Sequence, residues 1–124
     1  MKRTLMQIYV KDSIEAVEFY RRAFDAALVA DHKNESGTYY EHAELDVFGQ
    51  ILAVAEDLGD RPNGNKMQFC LHFGNDEKDK VTRAYDILME NAESIDHPLG
   101  YCSYSPHMAS LIDKYGIYWC IFTE

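Results

Sequence analysis

Apolar and polar positions alternate along this chain in two different periods. Residues 4–10, TLMQIYV, are apolar and β-rich and predict a strand. In KDSIEAVEFYRRAF, Ile14, Val17, Tyr20 and Phe24 recur at helical spacing. Asp12 followed by Glu15 reads as a capping box at the start of that helix. Strands are then expected near Ala26–Lys33, Tyr39–Val47 and Gln50–Glu56, with Val47-Phe48-Gly49-Gln50 as a tight turn between the last two. The stretch EDLGDRPNGNK, residues 56–66, holds two glycines, a proline and two asparagines, and it interrupts both periods.

Beyond this linker the order repeats. KMQFCLHF predicts a strand, and DEKDKVTRAYDILMENA predicts a helix with Asp76 as its cap and Val81, Tyr85 and Leu88 on one face. Strands follow near Asp96–Tyr104, His107–Tyr115 and Ile117–Thr123. Asp46-Val47-Phe48-Gly49 stands 67 residues before Asp113-Lys114-Tyr115-Gly116, and Ile14 and Val81 share that offset. Each half therefore reads βαβββ. The expected architecture is one α+β domain over 1–124, with module one at 1–56, an exposed linker at 56–66 and module two at 66–124. A four-stranded sheet with one helix leaves its other face open. Two such sheets are expected to curve around a cavity, the natural place for a site.

Composition narrows the function. A chain of 124 residues, 47% hydrophobic, suits one domain. No apolar run approaches the ~20 residues of a membrane span, and the basic start MKRTLMQIYVKD reaches Lys11 and Asp12 too soon for a signal-peptide core. The expectation is a cytoplasmic protein that does not engage membrane. Cys70, Cys102 and Cys120 form no CxxC pair and read as reduced thiols. The formal net charge of −9 argues against nucleic acid as a partner. That charge supports either plain solubility or attraction of a cationic ligand.

The stretch EHAELDV, Glu41–Val47, carries the clearest chemistry. His42 and Glu44 are two residues apart, so on a strand they share a face. A tight turn at Phe48-Gly49 sets the pairing 47 with 50, 46 with 51 and 44 with 53, which places Glu44 beside Ala53. The pair could knit the sheet, grip a ligand, or work as an acid–base couple, since a carboxylate raises a neighbouring histidine's pKa. Trp119 has the opposite parity to Cys120 and is expected in the core under a helix. His97 and His107 are expected at the surface, as is the cluster Lys78, Lys80 and Arg83. Cys120 reads as a small buried thiol, with no basic neighbour to activate it.

The duplicated βαβββ order resembles the vicinal oxygen chelate superfamily, which includes glyoxalase I, extradiol dioxygenases, and fosfomycin- and bleomycin-resistance proteins. YVKDSIEAVEFYRRAF is similar to the first strand and helix of that superfamily, V-x-D-x-x-x-A-x-x-F-Y. HAELDVFGQIL and DKYGIYW resemble the PhnB-like branch, whose members often read HAEL-x-x-G-x-x-L and D-P-F-G-x-x-W; here Lys114 replaces the proline. The resemblance implies paired modules of the glyoxalase/bleomycin-resistance fold and, in metal enzymes of the superfamily, one ligand from the first and last strand of each module. By motif spacing those positions here are Leu5, Ala53, Gln68 and Cys120. Leu and Ala have no lone pair to offer, so neither a metal nor another cofactor is expected.

The resemblance also sets which residues face the cavity. On that parity the candidate ligand-binding residues are Gln7, Tyr9, His42, Glu44, Gln68, His72, Tyr118 and Cys120, with Leu5, Cys70 and Phe122 on the same faces. The resulting expectation is a small-molecule-binding protein without metal, PhnB-like, taking a cationic or polar metabolite or drug. The alternative is a lyase or isomerase of the same superfamily using His42 and Glu44 or a displaced metal site. A homodimer is expected from the resemblance and from the open sheet edges. Related sequences also carry a demethylubiquinone methyltransferase label, but nothing in these residues reads as a methyl-donor site.

Overall fold

A computed structural model describes residues 1–124. The chain divides into two compact units, Met1–Arg61 and Pro62–Glu124, with the boundary inside the linker. No helix is long and apolar enough to cross a membrane.

The first unit runs β1 (Met6–Val10), α1 (Ser13–Phe24), β2 (Ala27–Lys33), β3 (Tyr40–Val47) and β4 (Gln50–Glu56), in sheet order β1-β4-β3-β2. β1 pairs parallel to β4, and the other pairs are antiparallel. One sheet face is apolar: Ile8, Val10, Ala43, Leu45, Leu52 and Val54 are buried, as are Val17, Phe19, Tyr20 and Phe24 of α1. The helix packs on the sheet because its apolar residues return every three or four positions while those of the strands alternate.

The start of α1 corrects the capping-box expectation. Asp12 sits in the left-handed region at φ 59 and its side chain makes no cap bond. The carboxylate of Glu56, at the end of β4, accepts from the amides of Asp12 at 3.1 Å and Ser13 at 2.9 Å instead. A tertiary partner thus satisfies the donors that a local side chain usually takes. At the other end of the hairpin, Phe48 and Gly49 have φ of 51 and 88, the two positive values that a two-residue turn requires. The observed register is Val47 with Gln50, Asp46 with Ile51 and Glu44 with Ala53, as the turn predicts.

The second unit runs β5 (Phe69–His72), α2 (Lys78–Leu88), β6 (Ser94–Cys102), β7 (Ser105–Ile112) and β8 (Tyr118–Thr123), in sheet order β5-β8-β7-β6. Here too the expected cap is replaced. Asp76 precedes the cap residue Glu77, whose amide donates to Thr123 Oγ1 at 2.9 Å. Trp119 is buried as expected, and its Nε1 donates to the buried Asp113 Oδ2 at 2.8 Å. The hairpins of the two units differ by one residue. Ile112 pairs with Tyr118, so the second loop is longer, closed by Asp113 Oδ1 accepting from Tyr115 and Ile117 amides at 2.8 and 3.0 Å. Of the linker, residues 58–66 are exposed, but Asp57 is buried, held by Arg61 at 2.7 Å. His107 is half-buried rather than superficial, with Nε2 2.7 Å from Thr82 Oγ1.

Candidate functional site

The sheet face opposite α1 in the first unit carries the polar cluster. In register across it lie Gln7, Ala53, Glu44 and Ala30. Tyr9 pairs with Ala55, and His42 with His32. The alanines add little bulk, so the polar groups stand on a low apolar floor. His42 Nε2 lies 3.0 Å from Glu44 Oε1, so the spacing in EHAELDV does bring the two together.

The principal partner of Glu44 is one that sequence reasoning missed. Arg3 donates from both terminal nitrogens, NH1 to Oε2 at 3.1 Å and NH2 to Oε1 at 2.7 Å. This bidentate geometry is the strong form of the guanidinium–carboxylate contact. Glu44 is only 8% exposed, and a buried carboxylate is costly unless paired. Arg3 first, then His42, hold its carboxyl down to about 2. Arg3 precedes β1 and belongs to no periodic pattern. The only available signal was the need of a buried acid for a cation.

A second guanidinium lies on the same unit. Arg61 stands over the Tyr9 ring, 4.0 Å from its centroid, while pairing with Asp57. Gln7 Nε2 donates to Tyr9 Oη at 2.9 Å. Two groups therefore stand on this face, Gln7 with Tyr9 and Arg61, and His42 with Glu44 and Arg3.

In the second unit the corresponding row is Cys70, Cys120 and Ser110. The longer hairpin puts a serine where the first unit has Glu44. Gln68 donates to Ser110 Oγ at 3.1 Å. The Tyr118 hydroxyl interacts with Asp96 and Ser110, and the Asp96 contact foremost pushes its pKa up. His72 packs edge-on against Phe122 at 4.6 Å, accepts from the Gly74 amide at 2.9 Å and sits 3.4 Å from a Glu124 carboxylate oxygen. Cys120 is buried, which raises its thiol pKa, and its sulfur is 3.7 Å from Tyr104 Oη. Gln68, Tyr118 and Cys120 share this face, whereas His72 is drawn into contacts at its end. The second unit holds no carboxylate comparable to Glu44 in this row.

The residues present do not fit the divalent ion that the fold accommodates in metal enzymes. No group of three or more His, Cys, Asp or Glu side chains is arranged to hold a metal. The strand register sets Gln7 beside Ala53 and Cys70 beside Cys120; Leu5 lies before β1 and Gln68 before β5. Leu5 and Ala53 carry no donor atom, the Gln68 amide is engaged with Ser110 and Cys70, and the one buried carboxylate nearby already serves Arg3.

Two helix-backed mixed sheets, each β1-β4-β3-β2 in kind, define the glyoxalase-like α+β class. Over residues 3–121 the chain matches the Glyoxalase/Bleomycin resistance protein/Dioxygenase superfamily, and it belongs to that family. Among solved structures it is similar to a PhnB protein of Bacillus cereus, with TM-score 0.80, 20% identity and coverage of 100% of both chains. TioX of Micromonospora sp. ML1 gives TM-score 0.65 at 21% identity, covering 98% of each chain. The fosfomycin resistance protein FosX of Listeria monocytogenes gives 0.69 at 11% identity, covering 97% of this chain and 91% of that one. At these identities the similarity establishes the fold. Among curated proteins nothing matches.

Proposed function

We propose that the chain binds a small cationic organic molecule on the open face of the first sheet, without a divalent metal. Glu44 is the anchoring carboxylate, Tyr9 the aromatic wall, and Gln7 and His42 the flanking polar contacts. One observation carries this reading: both recognition elements already hold a cation of the chain itself. Arg3 occupies the Glu44 carboxylate and Arg61 the Tyr9 face. Their side chains are 52% and 55% exposed, so a ligand bearing a guanidinium or ammonium group can displace them. The net charge of −9 favours the approach of such a ligand.

Gln68, His72, Tyr118 and Cys120 are proposed as a second, less charged lining on the other sheet. The metal-free character rests on Leu5, Ala53, Gln68 and Cys120, two of which have no donor atom to offer an ion. A cytoplasmic homodimer of single-domain chains, with modules at 1–56 and 66–124, completes the proposal. A second reading, lyase or isomerase chemistry through His42 and Glu44, is favoured by their 3.0 Å contact. It ranks lower because Arg3 shares the same carboxylate, and no nucleophile stands beside the pair.

The test is a thermal-shift series with agmatine, spermidine, zinc, nickel and manganese salts. A ligand selective for the folded state raises the melting temperature. The proposal expects a rise with an organic cation, lost in Glu44→Gln, and none with the metal ions. A rise with a metal ion alone would overturn it.

A further inference from the structure

Two cysteines distant in the sequence, Cys70 and Cys120, stand side by side in the second unit. Cys70 on β5 and Cys120 on β8 are register partners in a parallel pair, so their side chains leave the sheet on one face. Adjacent strands lie about 4.8 Å apart, inside the range of Cα separations that a disulfide spans. The Cys70 thiol donates to Gln68 Oε1 at 3.5 Å on that face. Tyr104 Oη approaches Cys120 Sγ at 3.7 Å, and Cys102 is a further neighbour of that hydroxyl. All three thiols are free; Cys70 is exposed, Cys102 half-buried and Cys120 buried. An exposed thiol in register beside a buried one is the asymmetry that a reacting and a resolving cysteine require.

We propose that Cys70 and Cys120 form a thiol–disulfide exchange site for a low-molecular-weight disulfide. The Cys70 thiolate attacks one sulfur of the external disulfide. A Cys70–S–S–R bond forms, the external S–S bond breaks, and one thiol leaves. Cys120 then loses its proton to solvent and attacks Cys70 Sγ. The Cys70–Cys120 bond forms, the mixed disulfide breaks, and the second thiol leaves. Two protein thiols are oxidised and one external disulfide is reduced, a two-electron balance. Nothing in this step depends on the small-molecule reading of the first unit.

Tyr104 is a positioning residue in this step. Its own pKa is pushed up to about 12, so it keeps its proton and donates toward the Cys120 sulfur, easing thiolate formation against the burial that raises it. Closure is reversible for a geometric reason. A relaxed disulfide holds Cβ atoms about 3.8 Å apart, closer than in-register neighbours on parallel strands. The bond must pull the four-residue edge strand β5 toward β8, and strained disulfides reduce readily.

The experiment incubates the reduced full-length chain with glutathione disulfide, quenches with acid, and reads intact mass and non-reducing peptide maps. Wild type is expected to lose the mass of two hydrogens, to yield a linked Cys70–Cys120 peptide pair, and to revert fully with dithiothreitol. Cys120→Ala should stop at a glutathione adduct on Cys70, Cys70→Ser should give no link, and Cys102→Ser should behave as wild type. Tyr104→Phe should leave the mixed disulfide longer-lived. A stable glutathione adduct in wild type, a main product linked through Cys102, or three unmodified thiols would overturn the proposal. The wild-type peptide map reads the pairing by itself if a variant fails to fold.

Discussion

Replacing Glu44 by Gln removes one charge and keeps the shape. The Glu44 carboxylate accepts three hydrogen bonds at 2.7 to 3.1 Å while 8% exposed. In the unfolded chain it titrates near its ordinary value of 4.5, and in the folded chain at about 2. Above the unfolded value it is charged in both states, and its full contribution to stability is present. As pH falls from about 4.5 through about 2 the folded carboxylate takes up its proton and the contribution is lost. At 1.4 kcal/mol per pH unit the upper bound is ~3.5 kcal/mol. Arg3 is half exposed, so solvent screening lowers this to about 1–2 kcal/mol near neutral pH. For a domain of this size that is about 3–8 °C in Tm. Urea unfolding followed by far-ultraviolet circular dichroism, for wild type and Glu44→Gln from neutral to acid pH, measures it. The gap should close as the pH is lowered. Equal stability near neutral pH, or a gap independent of pH down to about 3, would refute the pairing as drawn.

Asp113→Ala strips partners from Trp119 Nε1 and from the amides of Tyr115 and Ile117, and should cost about 2–4 kcal/mol, with Trp119 fluorescence in urea as the readout. Glu56→Ala should cost about 1–2 kcal/mol because it uncaps α1, whereas Asp12→Gly should change stability by less than about 0.5 kcal/mol, since Asp12 caps nothing and sits at φ 59. Paired urea melts compare them. Elemental analysis after dialysis should find far less than one zinc, nickel, iron or manganese ion per chain. A value near one would contradict the mismatch of the metal positions.

The hairpin register was legible because Phe48-Gly49 fixes a turn of known length, and that register alone put Glu44 beside Ala53. The core faces of α1 and β8 followed from period, and Trp119 is buried as its parity required. What escaped were contacts between residues that share no pattern. Arg3 lies 41 positions from Glu44, and Arg61 reaches back to Tyr9 from the linker. Neither period nor motif encodes such pairs; only the demand of a buried charge for a partner hints at them. Both helix caps failed for the same reason, as Glu56 and Thr123 arrive from closing strands. The letter match between the two hairpins concealed a one-residue difference in loop length. That difference puts Ser110, rather than Leu111 at the shared offset, in the Glu44 position of the second unit.

The most direct test of cation binding at the first sheet is an amide and side-chain NMR titration of the full chain with agmatine. Shift changes should be concentrated at Gln7, Tyr9, His42 and Glu44. The Arg3 and Arg61 Nε–H signals should move as their guanidiniums are displaced, and the pattern should be absent in Glu44→Gln. Binding that leaves both arginine signals in place, changes centred on α2, or an unchanged response in Glu44→Gln would contradict it.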